Sequence, residues 1–355
     1  MSKFHALTVK DITRETADCV SVSFHIPQQL VNDFKYIQGQ YITFKLHIDG
    51  QEIRRSYSVC SSPITDADLR VAIKKVKNGK GSTYINDRLK VGDVLEVMTP
   101  MGNFYTAMDA GNNKEYVLFA GGSGITPMLS IIKTVLQAEP NSRIQLFYGN
   151  ENEEAIIFNN QLKDLQNKHA DRLKVHHILN NATDYPEIYK GMMTVEKLSA
   201  LMQQFVKIDN RSEIFICGPV PMMQNVEQTL QQLNVPKSQI HIEYFSAPVE
   251  STAAPSVGSA TKKATLTIIL DGDEVVTEMM PDESILDAAL RINLDAPYAC
   301  QGGSCCTCRA LLTEGKVDMK VNYALLDAEV KQGFILTCQS YALTESITVD
   351  YDKGR

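Results

Sequence analysis

The chain has 355 residues, more than one hydrophobic core normally supports, so two or three domains are expected. Hydrophobic content of 44% and charged content of 22% are those of a folded globular protein; no apolar run reaches the length of a membrane span, and the N-terminal Met-Ser-Lys-Phe-His lacks the apolar core of a secretion signal. The net charge of -7, with no basic patch bearing interleaved aromatics, argues against nucleic acid and membrane as partners, and a cytoplasmic location is expected.

Residues 1–106 read as all-β. Val20 to Phe24 and Tyr41 to Leu46 alternate with the period of half-buried strands, and Gly39, Asp49-Gly50 and Pro63 punctuate them. Several such strands in this length predict a small antiparallel barrel. Within it lie Arg55-Ser56-Tyr57-Ser58 and Gly79-Lys80-Gly81-Ser82. On the residues alone, reading Arg55 and Tyr57 as ordinary solvent-facing strand positions is favoured. Together and in this order, however, the two motifs resemble the flavin-binding domain of the ferredoxin-NADP reductase superfamily. The resemblance implies FAD, with the Arg55 guanidinium on a phosphate, the Tyr57 ring stacked on the isoalloxazine, and Ser58 near its reactive edge. Gly79 opens the second motif, and Gly81 and Ser82 would offer backbone N–H groups to the pyrophosphate.

From residue 114 to 246 strands and helices alternate, the pattern of an open parallel α/β sheet. The apolar run Tyr116 to Ala120 suits a buried strand and empties into Gly121-Gly122-Ser123-Gly124-Ile125-Thr126-Pro127, ahead of a helix expected over Met128 to Gln137. Bare backbone and a helix N-terminus there make an anion site. The loop resembles the nicotinamide-nucleotide loop of the same superfamily, which marks Gly122, Gly124, Thr126 and Pro127. Further strands are expected at Ile144 to Asn150 and from Glu213, where Cys217-Gly218-Pro219 resembles the motif lying beside the nicotinamide. A buried strand cysteine is usually inert, so Cys217 is not read as a nucleophile. Phe245, after Glu243-Tyr244, is a candidate cover for the flavin ring, and equally a core aromatic.

Residues 247–263 are rich in Pro, Ser, Thr and Ala and read as a tether. Residues 264–355 follow as a third domain, with a hairpin about Asp271-Gly272-Asp273 and a helix from Ser284 to Arg291. This domain holds 15 acidic residues against 7 basic, so the acidity of the chain is concentrated here. A solvated face is the ordinary reading, and an electron-transfer surface steered to a basic partner the functional one.

Cys300, Cys305, Cys308 and Cys338 spell C-x4-C-x2-C-x29-C, the plant-type ferredoxin spacing for a [2Fe-2S] cluster. A zinc site or disulfides are the alternatives, but three close cysteines and one distant one fit the paired zinc template poorly. Gly302 and Gly303 would supply the dihedrals such a loop needs. By resemblance, Cys300 and Cys305 would hold one iron and Cys308 and Cys338 the other. Cys306 breaks the spacing and reads as a loop residue, with a swap for Cys305 as the lesser option. The domain resembles the α+β β-grasp fold.

The expected architecture is therefore multi-domain: an antiparallel β-barrel for FAD, an α/β parallel-sheet domain for NADPH or NADH, and an α+β ferredoxin domain. A nicotinamide gives up two electrons as hydride, a [2Fe-2S] cluster accepts one at a time, and a flavin can receive the pair and pass them singly. Tyr57, Ser58, Thr126 and Cys217 would frame the hydride site. Arg-Arg-x-Tyr-Ser, Gly-Ser-Gly-Ile-Thr-Pro-Met-Leu and Pro-Tyr-Ala-Cys-x-Gly-Gly resemble the reductases of multicomponent di-iron oxygenases. That resemblance implies, as partners, the other components of a di-iron epoxidase acting on an aromatic CoA thioester. A reductase for a Rieske oxygenase or a hybrid-cluster protein, or a non-catalytic iron–sulfur sensor, are the other readings. Relatives often follow Tyr-Gly-Asn with an Arg for the 2'-phosphate of NADP. Here Glu151 stands in that place, so NADH is expected to be at least competitive.

Overall fold

The computed structural model describes residues 4–245 and 263–354. The first sheet contains β1 (Phe4–Thr16), β2 (Cys19–His25), β3 (Tyr41–Ile48), β4 (Gln51–Ser58), β5 (Arg70–Lys74) and β6 (Val94–Met98), in the order β4-β3-β6-β1-β2-β5. A bridge between Val59 and Val71 joins the two edges, so the antiparallel sheet curls into a barrel. Leu7, Val22, Phe44 and Val97 fill its interior. Alternation along β2 predicts one wet face, but both are buried. Cys19 packs into the core of the next domain, and the Arg70 guanidinium covers the other outward positions by reaching the hydroxyls of Ser21 (3.0 Å) and Ser23 (3.3 Å).

The segment is not all-β. Helix α1 (Lys80–Asp87) lies between β5 and β6, and Gly79 is its N-cap. The Gly79 to Ser82 motif is thus a helix start rather than a free turn. Alternation does not reveal it because the eight-residue helix buries only Gly81, Ser82, Ile85 and Asn86, too short an apolar stripe to establish a period.

The second sheet is parallel, with β7 (Glu115–Gly121), β8 (Arg143–Asn150), β9 (Leu173–Leu179), β10 (Ser212–Cys217) and β11 (Ile240–Glu243) ordered β11-β10-β7-β8-β9. Helices α2 (Ile125–Ala138), α3 (Asn159–Lys168), α4 (Val195–Phe205) and α5 (Val220–Gln232) make the crossovers. The chain runs outward from β7 in one direction and then returns to place β10 on its other side. That reversal opens a crevice at the carboxyl ends of β7 and β10. Helix α2 begins three residues earlier than expected, with Pro127 inside its first turn, where its missing N–H costs nothing.

The third domain pairs β12 (Ala264–Leu270) with β13 (Asp273–Met279) about a turn in which Asp271 and Gly272 have φ of 57° and 86°, the mirror-image geometry that suits hairpins. Helix α6 (Ile285–Arg291) is capped by Ser284, whose hydroxyl accepts from the Asp287 N–H at 3.1 Å. After the cysteine loop come β14 (Arg309–Glu314), β15 (Val317–Met319), α7 (Asp327–Lys331), β16 (Phe334–Leu336), β17 (Ser340–Ala342) and β18 (Ser346–Asp350). The main sheet runs β13-β12-β18-β14-β16, and β15 pairs with β17. The tether reading falls on residues 247–263, of which all but Lys263 lie outside the described residues. No described helix is long and apolar enough to cross a membrane.

Candidate functional site

Strand β4 delivers Arg55, Ser56, Tyr57 and Ser58 to one wall of a cavity of about 450 Å³. Gly79, Gly81 and Ser82 at the start of α1 form a second wall, and Thr126 and Phe245 close it from the nucleotide domain. The Tyr57 ring packs on Phe44 with centroids 5.1 Å apart, which holds it as a fixed platform. Burial raises its phenol well above the usual range, so it remains a neutral ring. Ser82 spends its hydroxyl on the loop, accepting from the Val76 N–H at 3.0 Å, which leaves the first-turn backbone for an anion. A cation (Lys74), an exposed guanidinium (Arg55), a helix N-terminus and an aromatic face together fit a dinucleotide flavin. Sequence reasoning misses Lys74: it closes an ordinary strand, and only the fold brings it near Gly122.

The two glycine-bearing turns of the nucleotide domain interlock. A Cβ on Gly124 would stand 2.0 Å from the Cys217 carbonyl oxygen, and one on Gly218 would stand 3.0 Å from the Gly121 Cα. Gly122 has φ of 51°, which favours glycine. Thr126 donates to the Ser123 carbonyl at 3.0 Å, and its side chain is buried. Pro219 caps α5 and packs where a Gly121 Cβ would stand. Cys217 is brought to this crevice but lies behind its wall, fully buried, with its thiol pushed far up by desolvation. It is no more a nucleophile here than the sequence implies.

Glu243 pairs with Cys217 across β10 and β11, and its carboxylate accepts from the Ser58 hydroxyl at 2.9 Å. Burial raises its carboxyl to about 8, and the Ser58 hydrogen bond offsets only part of that. The sequence marks an acid at this position without assigning it a role. No pattern links positions 58 and 243; the contact exists only because the barrel and the parallel sheet meet at this edge.

A second cleft, of about 350 Å³, continues from Ser58, Glu243 and Phe245 to Cys300, Gly302, Ser304 and Cys305. The flavin-side and cysteine-side residues therefore share one opening. No three His, Cys, Asp or Glu side chains among the described residues surround a point as ligands of a single ion would. The thiols fall instead into two contacting pairs, Cys300 with Cys305 and Cys308 with Cys338. All are free of disulfides. Two thiols for each of two irons is the division a [2Fe-2S] cluster requires, so the donor set fits that group. The Cys300 thiol is pulled down, first by Cys305 and then, against burial, by Ser304 and the Gly302 N–H.

The loop's left-handed residues are Gln301 and Gly303, at φ of 54° and 72°, and not Gly302. Gly303 is further required because a Cβ would stand 2.9 Å from the Val321 carbonyl oxygen. Gly302 contributes its N–H, which points at the Cys300 sulfur from 3.4 Å. Cys306 faces away from the thiol pairs toward Tyr41, and burial pushes its thiol up to about 11.

A barrel cavity with a flavin's complement of contacts, a phosphate-binding parallel sheet beside it and a thiol-paired loop opening on the same cleft define a flavin- and iron–sulfur-dependent NAD(P)H oxidoreductase. Residues 6–105 match the oxidoreductase FAD-binding domain family, 118–228 the oxidoreductase NAD-binding domain family and 268–343 the 2Fe-2S iron-sulfur cluster binding domain family. The chain is 39% identical to a component of the 1,2-phenylacetyl-CoA epoxidase of Escherichia coli (strain K12), covering 99% of each. It is 33% identical to the ferredoxin reductase component of 3-ketosteroid-9-alpha-monooxygenase of Rhodococcus rhodochrous, covering 97% of this chain and 96% of that one. Phthalate dioxygenase reductase shares its fold with a TM-score of 0.60 at 24% identity, covering 98% of both chains. The chain belongs to the family of oxygenase reductase components, which join FAD, NAD and [2Fe-2S] domains in one polypeptide.

Proposed function

We propose that this chain is the reductase of a phenylacetyl-CoA epoxidase, passing electrons from NADH through FAD and the [2Fe-2S] cluster to a di-iron oxygenase in phenylacetate catabolism. Identity of 39% with the Escherichia coli epoxidase component, across the whole of both chains, carries this reading. Bound flavin supplies the conversion of a two-electron hydride into single electrons. Tyr57 and Ser58 orient the ring, Thr126 and the turn at Gly122 and Gly124 position the nicotinamide, and Cys217 fills the space behind it. Arg55, Gly79, Gly81 and Ser82 hold the flavin phosphates; Gly218 and Pro219 shape the nucleotide crevice, and Phe245 shields the ring until nucleotide arrives. Cys300, Cys305, Cys308 and Cys338 hold the cluster, and their free thiols suit a reducing cytoplasm.

The nucleotide is NADH. Glu151, just past β8, is held by the side-chain amides of Asn180, at 3.1 Å, and Asn181. A carboxylate fixed there repels a 2'-phosphate and suits a ribose hydroxyl. The expected kcat/KM favours NADH, and Glu151→Arg shifts the ratio toward NADPH by about tenfold, the scale of one charge contact. A large NADPH preference in the native protein would sink this assignment. The oxygenase assignment is checked by mixing the purified protein with the cognate oxygenase components, phenylacetyl-CoA and NADH. Epoxide formation supports it; cluster reduction without epoxide formation, alongside turnover with a ketosteroid oxygenase, would move the chain to the other branch of the family.

A further inference from the structure

Arg54 precedes the flavin-side Arg55, but the pleat of β4 turns it to the opposite face, and it lines neither cleft. It is 5% exposed. Its Nη2 donates to Asp295 at 2.6 Å, its Nε to Glu52 at 2.7 Å, and its Nη1 to the Ala296 carbonyl at 3.4 Å. The guanidinium also lies 4.2 Å from the Tyr298 ring centroid. Asp295, Ala296 and Tyr298 form the approach to the cluster loop that begins at Cys300.

The far side of that loop is held from the same barrel. Tyr41, buried at the start of β3, accepts from the Cys306 N–H at 3.1 Å and meets the Thr307 hydroxyl at 3.2 Å. Tyr41 is the register partner of Ser58, so one strand pair carries both a flavin-side hydroxyl and a grip on the cysteine loop. Asn103 adds a hydrogen bond to Glu329 at 3.0 Å.

We propose that Arg54 and Tyr41 are positioning residues for internal electron transfer, holding residues 295–307 so that the cluster loop faces the flavin cleft. With both groups bound, the flavin reduced by hydride would give up its two electrons singly, each turning one ferric iron of the cluster ferrous, and the one proton that came with the hydride would leave to solvent. Hydride delivery, on the other side of the flavin pocket, does not use these contacts. The proposal rests on the flavin-to-cluster part of the reading above and is independent of which oxygenase receives the electrons.

The test uses the full-length protein with Asp295→Arg, a change at a side chain that is 72% exposed and so leaves folding intact, beside Arg54→Gln. Hydrogen exchange of the peptide containing Cys306 should quicken by about tenfold in both variants, because one removes the exposed partner of the buried guanidinium and the other removes the guanidinium itself, while barrel peptides exchange as in the native chain. In anaerobic stopped flow with NADH, flavin bleaching should keep its rate within about twofold and cluster reduction should slow by about tenfold. Native exchange at Cys306 together with native cluster reduction in Asp295→Arg would overturn the proposal. Equal slowing of flavin and cluster reduction would overturn it too, because the residues would then be supporting the fold and not the docking.

Discussion

The glycine turn at residues 121–124 and the cysteine loop at 300–308 both leave backbone bare for a cofactor, but they are held in place by different means. The turn is wedged between β7 and α2, and Gly121 and Gly124 are fixed by neighbours within their own domain, above all the Cys217 carbonyl against Gly124. The loop has no regular structure of its own, and part of its hydrogen bonding is supplied by Tyr41 from another domain. A site stored in secondary structure is complete once its domain folds. One stored in an irregular loop is completed by what docks on it.

The difference is sharpest at two adjacent cysteines. Cys305 contacts Cys300, whereas Cys306 turns its back on the thiol pairs and meets Tyr41. Cys305→Ser should therefore abolish the cluster: iron content falls toward zero and the cluster absorption disappears, while flavin bleaching by NADH persists. Cys306→Ser, which keeps the backbone N–H that Tyr41 uses, should retain two irons per chain. A loss of iron from Cys306→Ser with retention in Cys305→Ser would mean that the two have exchanged duties and that the loop's register is wrong.

The turn is expected to break differently. Alanine at Gly124 would place a methyl group 2.0 Å from backbone that cannot move aside without separating β10 from β7. The expected cost is about 3 kcal/mol, the upper end for overpacking, or a fall of roughly 10 °C in the thermal midpoint of the nucleotide domain. Nucleotide affinity should fall while the iron content and spectrum of the cluster stay native, because the loop draws nothing from this turn. A stable Gly124→Ala protein with normal NADH affinity would show that the close approach is not what fixes that glycine.

This contrast also explains what can be read from sequence. The strand run Tyr116 to Ala120, the glycine turn and α2 are contiguous, so pattern and function coincide over twenty residues. The cysteine spacing is legible for a similar reason, since the cluster's geometry constrains the loop locally. Helix α1 escapes because its apolar stripe is too short to outweigh the surrounding alternation. The contact of Glu243 with Ser58, and the roles of Lys74 and Arg54, escape for another reason. Each of these residues acts on a partner distant in sequence, at Ser58, near Gly122 and at Asp295, and no local period encodes a meeting between domains. Of the two glycines expected to supply the loop's unusual dihedrals, Gly303 does so and Gly302 does not; Gln301 takes the other left-handed position, which residue type alone does not reveal before the backbone path is known.

The smallest expected effect concerns Glu243, which reaches the flavin side of the cleft as Tyr41 reaches the cluster side. Its carboxyl titrates at about 8, raised by burial from an ordinary value of about 4. Below that point the protonated acid can donate to the Ser58 oxygen, which frees the Ser58 proton for the flavin edge; above it the carboxylate claims that proton for itself. Flavin reduction by NADH should therefore fall about tenfold between pH 7 and 9, as for one ionisation centred at 8, and Glu243→Gln should flatten the profile. Because the folded state binds this proton more tightly than the unfolded chain, its stabilising effect is complete below pH ~4 and is lost progressively as pH rises through 8. The thermal midpoint of the flavin-free native protein should decline across that window, and the Gln variant should lose this part of the decline. Identical pH slopes in the two proteins, in both rate and melting, would remove Glu243 from the proton path and leave Ser58 to orient the ring alone.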